Sequence, residues 1–105
     1  MLPEEEIEAF ISAVSNNLIQ TVKNYLGHGV DVNSADDDTN TTALHAAASN
    51  NDLEMVSLLL QFGARPDVFD NFGQTPLSIA RKLKNPSIIG LMEQALKKPP
   101  KLSKK

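Results

Sequence analysis

Two stretches of this 105-residue chain copy one another at a fixed spacing, and that periodicity limits the fold more than any other feature. TALHAAASNNDLEMVSLLLQFGARPD begins at Thr42, and TPLSIARKLKNPSIIGLMEQAL begins at Thr75, 33 residues later. The offset pairs Leu44 with Leu77, Ala47 with Ala80 and Val56 with Ile89. A fainter copy precedes them at an offset of 34 and pairs Ala13 with Ala47, Asn17 with Asn51, Val22 with Val56, Leu26 with Leu60 and Gly29 with Gly63. The change of offset puts one extra residue between Asn33 and Thr42, in the acidic, Thr-rich stretch SADDDTNT.

Each unit reads as helix, short turn, helix and extended loop. Ile7, Phe10, Ile11 and Val14 fall at i, i+3, i+4 and i+7, which is one face of a helix. Ile19, Val22, Tyr25 and Leu26 mark a second helix, and Leu53, Val56, Leu59 and Leu60 repeat its spacing. Thr75 before Pro76 is an N-cap residue followed by Pro at the first helical position, and Asn85 before Pro86 repeats the device. Thr42 is the equivalent cap of the middle unit, with Ala43 where Pro would fit. Gly29 and Gly63 end the second helices, where a left-handed residue is needed. Asn17 and Asn51 sit in the inter-helix turns, and Asn tolerates that conformation next best. A single helix pair cannot bury its apolar face alone, so the units must stack.

At these residues the chain resembles the ankyrin-repeat family, over about residues 5–96. DNFGQTPLSIA (Asp70–Ala80) follows the opening of the family pattern with Ser78 in place of His. TALHAAA keeps the His as His45 and loses the Pro. LLLQFGA (Leu58–Ala64) and GVDVN (Gly29–Asn33) match its closing half. The resemblance implies an all-α solenoid of helix-turn-helix units with extended, hairpin-like loops. It divides the domain, residues 1–96, into repeats at about 4–36, 37–69 and 70–96. The first repeat, opening on an acidic helix, and the third, with Met92 and Glu93 at the usual LL pair, are expected to be caps with polar outer faces. KKPPKLSKK, residues 97–105, is expected to be a disordered Lys/Pro tail: a terminus, a linker, or a nuclear-targeting or anionic-surface patch.

Composition narrows the function classes. There is no Cys, which excludes disulfides and thiolate metal sites. The acidic start lacks the basic region of a signal peptide, and the apolar runs are too short to span a bilayer. An intracellular address, cytoplasmic or nuclear, is therefore expected. Residues 1–52 carry nine acids against one base, and residues 53–105 carry four acids against nine bases. Such a dipole can steer a partner or can simply be a solvated surface.

Catalysis needs a nucleophile, a base and a group to orient them, and no such set is present. His45 falls on the family's structural His, which implies a hydrogen bond to the Thr at the helix start. His28, in LGHGV, sits where a helix C-terminus favours an imidazole. Asp36-Asp37-Asp38 lacks the alternating spacing and the distant Glu of a calcium loop, so it reads as a loop tip or an acidic contact for a basic partner. No enzyme activity, metal, cofactor, small-molecule substrate or nucleic-acid partner is expected. The function expected is protein–protein interaction as an adaptor or inhibitor, from a monomer. The alternative is a regulatory or targeting ankyrin segment of a larger multidomain enzyme.

Ankyrin proteins bind through loop tips and the exposed face of the first helices, and the resemblance carries this over position by position. The tips offer Asp36, Asp38, Thr39, Thr41, Phe69, Asn71, Phe72 and Gln74. The first helices and following turns offer Ser49, Asn50, Lys82 and Leu83. Phe69 and Phe72 flank Asp70 in a loop that should be exposed, where polar residues are the rule; of the two, Phe69 is the better candidate to tuck against a neighbouring repeat. Asn33 occupies the position at which ankyrin proteins can be hydroxylated on Asn, although Tyr25 stands where Leu usually accompanies it.

Overall fold

The computed structural model describes residues 3–97. Six helices form three antiparallel pairs: α1 (Pro3–Ser15) with α2 (Ile19–Gly27), α3 (Ala43–Ser49) with α4 (Leu53–Gln61), and α5 (Pro76–Leu83) with α6 (Pro86–Lys97). The first helices of the pairs pack side by side as α1, α3 and α5, and α6 packs on α4 behind them. The core runs unbroken through all three pairs, from Phe10 and Val14 through Leu44, Met55, Val56 and Leu59 to Ile88 and Met92, all at most 1% exposed. It is aliphatic apart from Phe10, whose ring meets Tyr25 edge-on at 5.9 Å between centroids. Solenoids hold together through such neighbour-to-neighbour burial.

Local sequence accounts for where the helices begin. Thr42 Oγ1 accepts from the His45 N–H, Asp52 Oδ1 from Met55, and Thr75 Oγ1 from Ser78. Asn85 Oδ1 accepts from Ser87 and Ile88, as its place before Pro86 predicts. Each cap satisfies a donor that the first turn would leave orphaned. The loops after the second helices are hairpin-like. Ala35 and Thr42 form an antiparallel bridge, and Asp36 donates its N–H to the Thr41 carbonyl at 2.9 Å. The next loop makes the same contact from Asp70 to Gln74, one residue shorter. The extra residue that shifts the repeat offset therefore lies inside the first of these tips, between Asp36 and Thr41.

Gly29 and Gly63 close their helices at φ of 95° and 92°. The inter-helix turns place Asn17, Asn51 and Lys84 at φ of 60°, 57° and 59°. These three are repeat equivalents, so stacking imposes one turn shape whatever the residue. Lys has a Cβ and no local hydrogen bond to offset the left-handed conformation. Replacing Lys84 by Asn should raise the free energy of unfolding by about 0.5 kcal/mol, read as a higher urea midpoint at unchanged slope.

Three sequence expectations change. Leu53, placed on an apolar face, is 43% exposed at the first position of α4. Met92 is fully buried at the position of Leu59, so the third repeat keeps its core there and turns outward only at neighbouring positions. Lys97, assigned to the tail, is the last residue of α6; the rest of KKPPKLSKK lies outside the described residues.

Candidate functional site

The two hairpin tips are built on internal carboxylates. Asp36 Oδ1 accepts from the N–H groups of Asp38 and Thr39, both at 2.8 Å, and from the Thr39 hydroxyl. Asp70 Oδ1 accepts from the N–H groups of Phe72 and Gln74, both at 2.9 Å. These side chains add to the backbone bonds that close each turn. Asp36 and Asp70 are therefore structural, and Asp36 is only half-exposed. Thr39 and Thr41 join hydroxyls at 2.7 Å and are half-buried too.

The tips are also tied to each other. Asn71 donates its backbone N–H to the Thr39 carbonyl at 2.8 Å and its side-chain amide to the Asp38 carbonyl at 3.1 Å. Asn40 Nδ2 reaches the Phe69 carbonyl at 3.5 Å. Below them, His45 is 2% exposed. Its Nδ1 accepts from the Thr42 N–H and hydroxyl at 3.1 and 2.9 Å, which puts the ring proton on Nε2. Nε2–H then donates to the Gln74 carbonyl at 2.9 Å, across to the next tip. Ser78, at the repeat equivalent of His45, likewise accepts the N–H of its capping Thr75, and donates its hydroxyl to the Thr75 carbonyl. Backbone and side-chain bonds thus make the two tips one preorganised surface.

On that surface Phe69 is 65% and Phe72 is 72% exposed. Phe69 does not tuck against a neighbouring repeat: both rings project outward from a turn whose inward contacts Asp70 already supplies. Asp38 and Asn71 lie exposed beside them, and Gln74 is half-buried with its carbonyl engaged by His45. On the first-helix side Ser49, Lys82 and Leu83 are exposed. Asn50 is exposed as well, but its amide donates to the Ser15 carbonyl at 2.7 Å and so caps α1 from the next repeat. Asn33 likewise ties two repeats together, since its amide donates to the Gly63 carbonyl and accepts from the Arg65 N–H, at 3.1 and 2.9 Å. His28 donates Nδ1–H to the Asn24 carbonyl at 2.7 Å and finishes α2.

Sequence reasoning missed one feature. A groove of about 770 Å³ runs over the second helices, with Ile19, Leu53, Leu58 and Leu91 along its sides. Ser57 and Gly90, also in its lining, are repeat equivalents, and small residues at that shared position leave room between α4 and α6. A match of small residues at the 33-residue offset was the signal available in the sequence.

Charge near the tips is one-sided. The hairpins, residues 34–42 and 67–75, hold Asp36, Asp37, Asp38, Asp67 and Asp70 and no base. Asp67 is engaged with Arg65 at 3.2 Å, and that hydrogen bond holds its carboxyl below the usual range. The pair is exposed, so it adds little to stability. Among the described residues, no group of three His, Cys, Asp or Glu side chains is arranged to hold a metal ion, and no helix is long and apolar enough to cross a membrane.

A family model described as ankyrin repeats (3 copies) matches residues 10–98. The chain is 36% identical over 77 residues to the human "Palmitoyltransferase ZDHHC13", a match covering 73% of this chain and 12% of that protein. It is 31% identical over 90 residues to mouse "Ankyrin repeat domain-containing protein 40", covering 86% and 25%. A third relative, "Ankyrin repeat and LEM domain-containing protein 1 homolog" of Caenorhabditis elegans, is 35% identical over 80 residues, covering 75% and 11%. The chain thus spans a quarter or less of the length of each of these relatives.

Proposed function

Because the chain belongs to the ankyrin-repeat family, whose repeats are generally protein-interaction modules, we propose that it is a non-catalytic binding module that takes a partner protein on its hairpin tips and first-helix face. The observation that carries this reading is the pair Phe69 and Phe72, 65% and 72% exposed on tips locked together by Asn71. Large apolar side chains exposed on a preorganised backbone are characteristic of interface anchors, since the ordering cost of the backbone is met before binding. Asp38, Asn71, Ser49, Lys82 and Leu83 complete the surface in this reading. Asp36, Thr39, Thr41, Asn50 and Gln74 support it from within. An adaptor or inhibitor role inside the cell, cytoplasmic or nuclear, accompanies the proposal.

A second reading rests on the relatives. The palmitoyltransferase match covers a small part of a much longer protein, so this module can equally be the regulatory or targeting segment of a multidomain enzyme. The two readings share the surface and differ in whether the partner is a separate chain. Asn33 as a hydroxylation site stays a proposal as well: its amide is bonded at both ends, so modification would have to proceed through opening of the Gly63–Arg65 contact.

The test compares the wild-type chain with a Phe69→Ala, Phe72→Ser double variant, each immobilised and exposed to cell lysate. Circular dichroism first confirms that the variant is folded. The expected result is a protein captured by the wild type and reduced at least about tenfold with the variant, the size of two lost anchors. Equal capture by both would remove the tips from the account and point to the groove beside Ser57 and Gly90.

A further inference from the structure

Tip docking fixes where a partner sits; the chemistry around the two rings determines what kind of side chain docks there. Asp36 and Asp70 turn their carboxylates inward onto backbone N–H groups. Asp37 and Asp38 are exposed, and among the described residues neither carboxylate is engaged by a donor. The Asn71 bonds to the Asp38 and Thr39 carbonyls tie the tip that carries these carboxylates to the tip that carries Phe72. Neither hairpin holds a base to neutralise them. The surface therefore offers two aromatic faces, which attract cations through the ring quadrupole, beside uncompensated negative charge.

A side chain that satisfies both features must be cationic and flat. Lysine supplies a hydrated point charge, whereas guanidinium stacks on a ring while its fork pairs with a carboxylate. We propose that the tips bind an arginine-bearing basic segment of the partner, with one guanidinium stacked on Phe72 and paired with Asp37 or Asp38. This rests on the tip-binding reading and adds the partner's chemistry to it. Acidic and purely apolar segments are disfavoured, the first by repulsion and the second by leaving both carboxylates desolvated without a counter-charge.

The test uses defined probes and the full chain. Backbone amide signals are followed by NMR during titration with acetyl-Arg-Arg-Arg-amide and, separately, with acetyl-Lys-Lys-Lys-amide. The expected result is saturable movement at Asp38, Asn71, Phe72 and Gly73 with the arginine peptide, and affinity about fivefold weaker with lysine. A Phe72→Leu variant, which keeps an apolar side chain, should bring arginine down to the lysine level. An Asp37→Asn, Asp38→Asn double variant should weaken both peptides. Equal affinities for the two peptides, an unaffected Phe72→Leu variant, or no movement at the tips would each overturn the proposal. Movement of the same signals on concentrating the chain alone would assign the site to a second copy and overturn it too. If the peptides fail while lysate capture still depends on Phe69 and Phe72, the arginine assignment falls and the docking surface stands.

Discussion

Replacing His45 by alanine lowers the free energy of unfolding by about 3 kcal/mol, a large fraction of what a domain of this size holds. The residue is 2% exposed and joins two repeats through one ring. Nδ1 takes the Thr42 N–H and hydroxyl, and Nε2–H serves the Gln74 carbonyl of the next hairpin. Alanine leaves the buried Thr42 N–H without a partner, takes from the Gln74 carbonyl one of its two donors, the other being the Asp70 N–H, and opens a cavity between α3 and the tip. The orphaned donor costs about 1–3 kcal/mol and the cavity adds to that, while Thr42 Oγ1 keeps its bond to the backbone N–H of residue 45. Serine separates the parts, because Ser78 already shows what serine does at the equivalent position. There it accepts the N–H of the capping Thr, and at position 45 it is too short to reach the next hairpin. His45→Ser should therefore cost about half as much as His45→Ala, read from urea midpoints. If serine and alanine cost the same, the bond to the Thr42 N–H contributes nothing and the cross-repeat bond carries the whole effect.

Leu44→Ala costs about 3–4 kcal/mol, and Leu77→Ala, the same change one repeat later, costs less than half of that. Leu44 is 1% exposed on α3, the helix packed between α1 and α5 and backed by α4. Truncation there leaves a cavity that neighbours on three sides hold open. Leu77 is half-buried on α5, so solvent fills much of the space its truncation opens. The position also decides how far the damage spreads. In a stack where each unit touches only its neighbours, weakening the middle one uncouples both ends. Leu44→Ala should therefore lower hydrogen-exchange protection in all three pairs, and Leu77→Ala mainly in α5 and α6.

Much of this architecture is legible in the chain itself. The 33-residue offset, the apolar spacing within each helix and the Thr-Pro and Asn-Pro starts each follow from local physics, and the helices begin where those signals stand. Exposure of one Phe is legible from its place in a loop, but that of Phe69 is not, since by sequence it is the better candidate to tuck against a neighbouring repeat. What sequence could not supply was the identity of cross-repeat partners. Asn50 was a candidate partner contact and instead caps α1 through the Ser15 carbonyl. Lys84 carries no left-handed signal of its own and adopts that conformation because its equivalents Asn17 and Asn51 define the turn. Leu53 matched an apolar pattern, yet it stands 43% exposed at the start of α4, beside the groove over the second helices. The groove beside Ser57 and Gly90 exists only once three second helices face it together.

The central claim is that a partner sits on the hairpin tips and not in that groove. The most direct measurement places a photo-crosslinking phenylalanine analogue at Phe72 in one sample and at Ser57 in another, then irradiates each with the same lysate. The account predicts a covalent adduct from position 72 that is absent from position 57. An adduct from position 57 alone would contradict it and assign binding to the second-helix face.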